Sequence, residues 1–329
     1  MRGTILLKRA LAAALGFCVV CCAPVARADE ALLVGTVGAA SAAPWPVYIG
    51  MAKKFFADAG LGIDLIFAPS VAALMQQLTG GSLNIVVSAG LTDPILAVDH
   101  GAPVAIVRIE GQVSPYALIA DARIKTIEAL KGKTISIDEP KGITRTYLER
   151  MLVPHGLKRG DYDLVFAGAT SARYAALQSH AVDAAMLTTP YNFQAQSAGY
   201  SNLGFVRDYV TDIPFSGMVV DKRWTEGNKE RLQKFLAAYT RSILWFYDDR
   251  SRDEAIKILV DSTKQSPSNS AIAYDFFRKI EYFERTGRVS MTSLGNLAKS
   301  LQGVGDIEIS FDINRLIMPG VTEIAGAAR

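Results

Sequence analysis

The stretch GIDLIFAPS at Gly62–Ser70 returns about a hundred residues later as DYDLVFAGAT at Asp161–Thr170. In each copy an apolar run of strand type ends in a small-residue turn, and helical periodicity follows. The copies then continue in step. AALMQQLTGGSLNIVVS (Ala72–Ser88) is matched by YAALQSHAVDAAMLT (Tyr174–Thr188), a helix, a turn and a further strand in both. Self-similarity on this scale predicts two lobes built to one plan.

Outward from this pair the same alternation holds. Ala31–Val37 reads as a strand, Val47–Ala59 as one amphipathic helix ending at Gly60, and Val104–Ile109 as a buried strand. Thr134–Asp138 and a helix within Thr144–Pro154 open the second copy. Strands alternating with helices predict the α/β class, here two three-layer α/β/α lobes. Pro115–Ala120 and Ser216–Asp221 are strand-like and bracket the second copy, so the chain is expected to cross between lobes on two strands. Lobe 1 is then 29–117 with 219–329, and lobe 2 is 118–218. Helical patterns from Glu230 to Leu301 are expected to cover the first lobe. Two connections and a cleft make a hinge that closes around a ligand.

Composition narrows the function. The chain has 329 residues, 50% hydrophobic and 20% charged, an ordinary globular balance. Its net charge of +3 misleads, because residues 1–28 carry Arg2, Lys8, Arg9 and Arg27 and no acid. The remainder holds 31 basic against 32 acidic residues, so no nucleic-acid partner is expected. A positive start, an apolar run from Ala10 and the small-x-small triplet Ala26-Arg27-Ala28 predict a signal peptide over 1–28, cleaved on export to the periplasm. All three cysteines (Cys18, Cys21, Cys22) fall inside it. None follows a small residue, as lipidation would need. The mature chain is therefore expected to have no thiol nucleophile, disulfide or sulfur ligand.

Enzyme signatures are missing. His100, His155 and His180 show no metal-ligand spacing. Gly132-Lys133-Thr134 lacks the earlier glycine of a phosphate loop, Ile127 standing in its place. No Gly-x-Ser-x-Gly elbow occurs. No catalysis, metal or cofactor is expected.

Ligand contacts in such a fold belong where strands end and helices begin. Trp45 and Pro46 stand in a rigid loop there, and the tryptophan reads either as a core aromatic or as a ligand platform. Ser70 suits a helix cap, a role compatible with ligand contact. Ser88, Gly90 and Thr92 follow the third strand, and Tyr116 lies on the crossing strand. In lobe 2 the candidates are Thr144, Arg145, Thr189 and Tyr191. Arg145 sits in a first helical turn, where a cation opposes the helix dipole. It either pairs with an acid such as Asp138 or Glu139 or reaches into the cleft for an anion. Arg173 holds a matching place further on and reads as a solvated face or a second candidate.

The Trp45-Pro46 loop, IEALKGKTISI (Ile127–Ile137) opening the second lobe and TTPY (Thr188–Tyr191) at a later strand end carry a resemblance. On these the chain is similar to the periplasmic solute-binding proteins of ABC importers in the nitrate/sulfonate/taurine and thiamine-precursor (NMT1/THI5-like) family, over Ala31–Pro319. The resemblance implies a bilobed periplasmic-binding-protein fold. It also implies a monomer that traps one small-molecule ligand and delivers it to a permease and ATPase. Trp45, Tyr116 and Tyr191 with Arg145 favour a small organic anion, sulfonate- or carboxylate-like, over bare nitrate. Two alternatives stay open: an enzyme resembling the thiamine-pyrimidine synthases, whose Cys-rich loop this chain lacks, and a ligand-sensing module.

Overall fold

The structure, a computed structural model, describes residues 31–322. The expected signal peptide lies outside them. Two five-stranded sheets form, each with helices on both sides. The first contains β1 (Leu32–Val37), β2 (Ile63–Ala68), β3 (Ile85–Gly90), β4 (Val104–Gly111) and a late arrival, β10 (Ser216–Asp221), in the order β2-β1-β3-β10-β4. Its helices are α1 (Trp45–Ala52), α2 (Phe55–Asp58), α3 (Val71–Thr79) and α4 (Thr92–Asp99). The second contains β5 (Ala117–Ala120), β6 (Thr134–Ile137), β7 (Asp163–Phe166), β8 (Ala184–Leu187) and β9 (Ser201–Phe205), in the order β7-β6-β8-β5-β9. Its helices are α5 (Ile143–Leu152), α6 (Thr170–Gln178) and α7 (Tyr191–Ser197).

The sheets follow one plan. Three parallel strands lie side by side, then one antiparallel strand, β10 in the first and β5 in the second, then a fifth. Ile85, Val86 and Val87 of β3 are fully buried, as a strand covered on both faces requires. The strands expected to carry the chain between lobes, β5 and β10, lie whole within one sheet each. The chain passes between the sheets at 112–116 and again at 206–215.

The first helix departs from its expectation. The run Val47–Ala59 breaks after Ala52, with Lys54 at a left-handed φ of 61°. The break turns Phe56 onto Phe235 in a stack 5.0 Å between ring centres. Burial of that ring outweighs helix continuity.

The last segment supplies α8 (Lys222–Gly227), α9 (Lys229–Phe246), α10 (Arg252–Thr263), α11 (Pro267–Lys279) and α12 (Met291–Gly303). Helix α9 packs on α1 and α2, and α12 on α4, so these cover the first lobe. Helix α11 instead reaches the second: Phe276 meets Phe193 of α7 at 5.0 Å and Phe205 of β9 at 5.5 Å. Among the described residues no helix is long and apolar enough to cross a membrane.

Candidate functional site

Strand ends of both sheets converge on one cavity. Thr36–Gly38 at the end of β1, Ser70 before α3, and Ser88 and Gly90 in β3 form the first lobe's wall. Asp138, Glu139, Ile143, the 168–171 turn, Arg173 and Tyr191 form the second, with Tyr116 and Phe215 from the crossings. The lobes touch around it. A Cβ on Gly90 would stand 2.9 Å from Ile143 Cγ2, and one on Gly168 2.8 Å from the Pro69 carbonyl oxygen. The enclosed space measures about 70 Å³. The cavity suits a compact ligand.

Loops after strands of both sheets contribute lining residues, but six of the eleven candidate residues do not. Ser70, Ser88, Gly90, Tyr116 and Tyr191 line the cavity. Ser70 also caps α3, its hydroxyl accepting the Ala73 N–H at 3.2 Å. Trp45 and Pro46 open α1 and are buried. The indole packs among Phe246, Tyr274 and Phe277 and donates to the Ala255 carbonyl at 3.0 Å. Trp45 is therefore a core aromatic, and no platform. Thr92 and Thr189 are buried off the cavity. The Thr144 hydroxyl is spent on Asp138, donating to its carboxylate at 2.5 Å and accepting its N–H at 2.9 Å.

Arg145 faces away from the cavity. It pairs with Asp306, beyond α12, and approaches Glu149 at 3.8 Å. The expected acid partners were Asp138 and Glu139; Asp138 is already taken up at the head of α5. Lys141 adds a second, longer contact to Asp306 at 3.8 Å.

Arg173 is the cation of the cavity lining; the sequence leaves it open as a solvated face or a second candidate, behind Arg145. It is 1% exposed. Its Nη2 donates to Tyr116 Oη at 3.1 Å and Thr170 Oγ1 at 2.6 Å, while Nε and Nη1 have no partner. The guanidinium also lies over the Tyr116 ring, 5.3 Å from its centre. The repeat held the signal. Helices α3 and α6 are both nine residues long, and Arg173 takes the fourth position that Leu74, a fully buried leucine, takes in α3. An arginine in a core register needs a reason.

Two acids shape the local field. Burial raises the Asp138 carboxyl pKa, opposed chiefly by the charge of Arg173. Glu110 is buried behind Ser88, accepting the Ser88 N–H on Oε2 at 2.5 Å and the Tyr239 hydroxyl on Oε1. Burial pushes its pKa up to about 7 despite those donors and nearby Arg108.

Residues 43–252 match the family described as NMT1/THI5 like. The chain belongs to the NMT1/THI5-like family. Among solved structures, this NMT1/THI5-like chain is similar to the alkanesulfonate-binding protein SsuA from Xanthomonas axonopodis pv. citri, bound to MOPS. Identity is 16%, coverage 87% of this chain and 97% of that one, and the TM-score 0.74. The periplasmic aliphatic sulphonate binding protein SsuA from Escherichia coli gives 20% identity, 90% and 94% coverage and a TM-score of 0.71. The periplasmic nitrate-binding protein NrtA from Synechocystis PCC 6803 gives 16% identity, 73% and 68% coverage and a TM-score of 0.63. At these identities the likeness shows the fold, that of the periplasmic binding proteins. No curated protein sequence matches the chain.

Proposed function

We propose that this chain is the solute-binding component of an ABC importer. In this reading it is exported to the periplasm as a monomer and captures a small organic anion, sulfonate- or carboxylate-like, between its lobes. It then delivers that ligand to a membrane permease and its ATPase. The lobes divide at the crossings, 112–116 and 206–215. Ser70, Ser88, Gly90, Tyr116, Tyr191 and Arg173 are the contacts. Trp45, Pro46, Thr144 and Arg145 are taken up by packing or an internal partner, and Thr92 and Thr189 are buried off the cavity, so none of the six is assigned a contact.

Arg173 is the observation that carries the reading. Taking a cation out of water costs several kcal/mol unless a partner repays it; Arg173 feels the charge of Asp138, but its Nε and Nη1 have no hydrogen-bond partner among the described residues. A ligand anion supplies one. The α6 N-terminus beside it has no side-chain cap, so its leading amides and positive dipole end favour the same charge. The sulfonate- and nitrate-binding proteins among the structural relatives support an anion as the class.

Calorimetric titration with short alkanesulfonates and alkanecarboxylates tests this. Losing a charge-assisted contact of ~1.5–3 kcal/mol, Arg173→Ala should bind roughly 10- to 150-fold more weakly. Arg173→Lys should recover only part, since an ammonium lacks the planar fork. The melting temperature of the empty Ala variant should change little, because removal of a buried charge is offset by loss of its attraction to Asp138. Wild-type affinity in Arg173→Ala overturns the assignment.

A further inference from the structure

A second cavity lies on the first lobe and shares no lining residue with the cleft. It measures about 730 Å³, within the ~300–1,000 Å³ that small-molecule sites occupy. Helix α9 forms one wall. Lys229, Gln233, Leu236, Thr240, Arg241 and Leu244 lie on one stripe of that helix, at helical spacing, and all line the cavity. The opposite stripe, with Leu232, Phe235, Tyr239, Ile243 and Phe246, is buried in the first lobe. Helix α9 therefore carries apolar side chains on two faces, and the second faces the cavity, where Leu244 is 55% exposed. The other walls come from β4 at the edge of its sheet, from Thr286 and Gly287, and from Gly320–Thr322.

Arg108 of β4 lines this cavity and is only 4% exposed. Its guanidinium reaches the point where Thr240 and Gly287 meet. Nη1 donates to Thr240 Oγ1 at 3.0 Å, and a Cβ on Gly287 would collide with Nη1. Nη2 donates to the Glu284 carbonyl at 2.8 Å and the Arg285 carbonyl at 3.4 Å, while Nε has no partner. Every acceptor is neutral. Glu110 feels the charge, but its own oxygens are taken up by the Ser88 N–H and the Tyr239 hydroxyl. Among the described residues no Asp or Glu lines the cavity. Lys229 and Arg241 add positive charge at its rim, Arg241 being shared with Asp58 at 3.1 Å.

We propose that this cavity binds a single-chain amphiphile with an anionic head group, the head toward Arg108 and Thr240 and the apolar body along Leu236, Leu244 and Val321. Both halves of the ligand are needed. A cationic head would meet three like charges, Arg108, Lys229 and Arg241, and an anion without an apolar body would leave the leucine wall in water. A half-buried guanidinium with neutral partners gains from a carboxylate what hydroxyl and carbonyl oxygens cannot supply. The site is independent of the cleft and of the reading of Arg173.

Calorimetric titration with decanoate and with decyltrimethylammonium, the same chain under the opposite charge, tests it below the micelle threshold of each. Wild type should bind decanoate on the order of tenfold more tightly than the cation, consistent with one charge-assisted contact. Ala237→Trp, at an exposed position on the lining stripe of α9, should fill the cavity and abolish decanoate binding at an unchanged melting temperature. Arg108→Gln should weaken decanoate roughly tenfold and spare decyltrimethylammonium. Lys229→Glu, at an exposed position, should act in the same direction if the buried Arg108→Gln variant does not fold. Arg173→Ala, which alters only the cleft, should leave decanoate affinity unchanged. Absence of decanoate binding to wild type, equal affinity for the two head groups or full affinity in Ala237→Trp overturns the site and leaves the cleft reading standing. Loss of decanoate in Arg173→Ala overturns it too, by moving the probe to the cleft.

Discussion

Ser88 lies within β3, yet its φ of 56° is left-handed, a conformation costing a non-glycine residue about 1–3 kcal/mol. Glu110 holds it there through the Ser88 N–H, with Tyr239 fixing the other carboxylate oxygen. That arrangement makes stability depend on pH. The carboxyl pKa rises on folding from 4.5 to about 7, so between these values the folded chain holds a proton that the unfolded chain has released. The contribution is complete below pH 4.5 and is lost as pH rises through 7. It amounts to about 3 kcal/mol at 1.36 kcal/mol per unit. Glu110→Gln removes the titration, so melting temperatures of wild type should fall more steeply than those of the variant between pH 5 and 8. Parallel curves would deny Glu110 the raised value. Single residues also mark the limit of the sequence reading. Trp45 and Arg145 were ambiguous because their partners, Ala255 and Asp306, lie 210 and 161 residues away in sequence. Arg173 was legible in principle, since the repeat sets it in the register of buried Leu74, but only if both copies are read as a packing template.

At the scale of elements the sequence was a better guide. The repeat gave two lobes and the loops that face the cavity, because strand ends and turn residues are local features. What it could not give is where one element ends against a distant one: the α1–α2 break depends on Phe235 of α9, and the reach of α11 to the second lobe on Phe193 and Phe205. The lobe contacts belong here too. Gly90 ends β3 where α5 of the other lobe begins, and its φ is not left-handed, so alanine is permitted by the backbone. Only approach of the lobes is obstructed, since the added Cβ would stand 2.9 Å from Ile143 Cγ2. Overpacking of this kind costs about 1–3 kcal/mol. Gly90→Ala should weaken ligand binding by roughly 5- to 150-fold and leave the melting temperature of the empty protein nearly unchanged. Ile143→Ala added to it should restore part of the affinity. A drop in melting temperature without loss of affinity would place the clash inside one lobe's fold instead.

For the whole molecule the question is what holds the lobes together when no ligand spans them. Helix α12 packs on α4 of the first lobe, and α5 of the second reaches it through Arg150. Arg150 Nη2 donates to Ser300 Oγ at 3.0 Å, and Arg145 pairs with Asp306 just past the helix end. The Arg145 and Asp306 side chains are 10% and 6% exposed. Breaking so buried a pair from one side costs about 3 kcal/mol, the lower end of the range for a stranded charge, because Arg145 keeps only the longer contact to Glu149 at 3.8 Å. Opening offers an escape, since a separated Arg145 regains water. Asp306→Asn keeps the shape and removes the charge, so the penalty falls on the closed form alone. A shift of about 3 kcal/mol changes the open-to-closed ratio by roughly 150-fold. Small-angle scattering of the empty variant should then show a larger radius of gyration than wild type, and saturating ligand should return it to the wild-type value. An unchanged radius together with a lower melting temperature would make the pair part of the fold and deny it any share in closure.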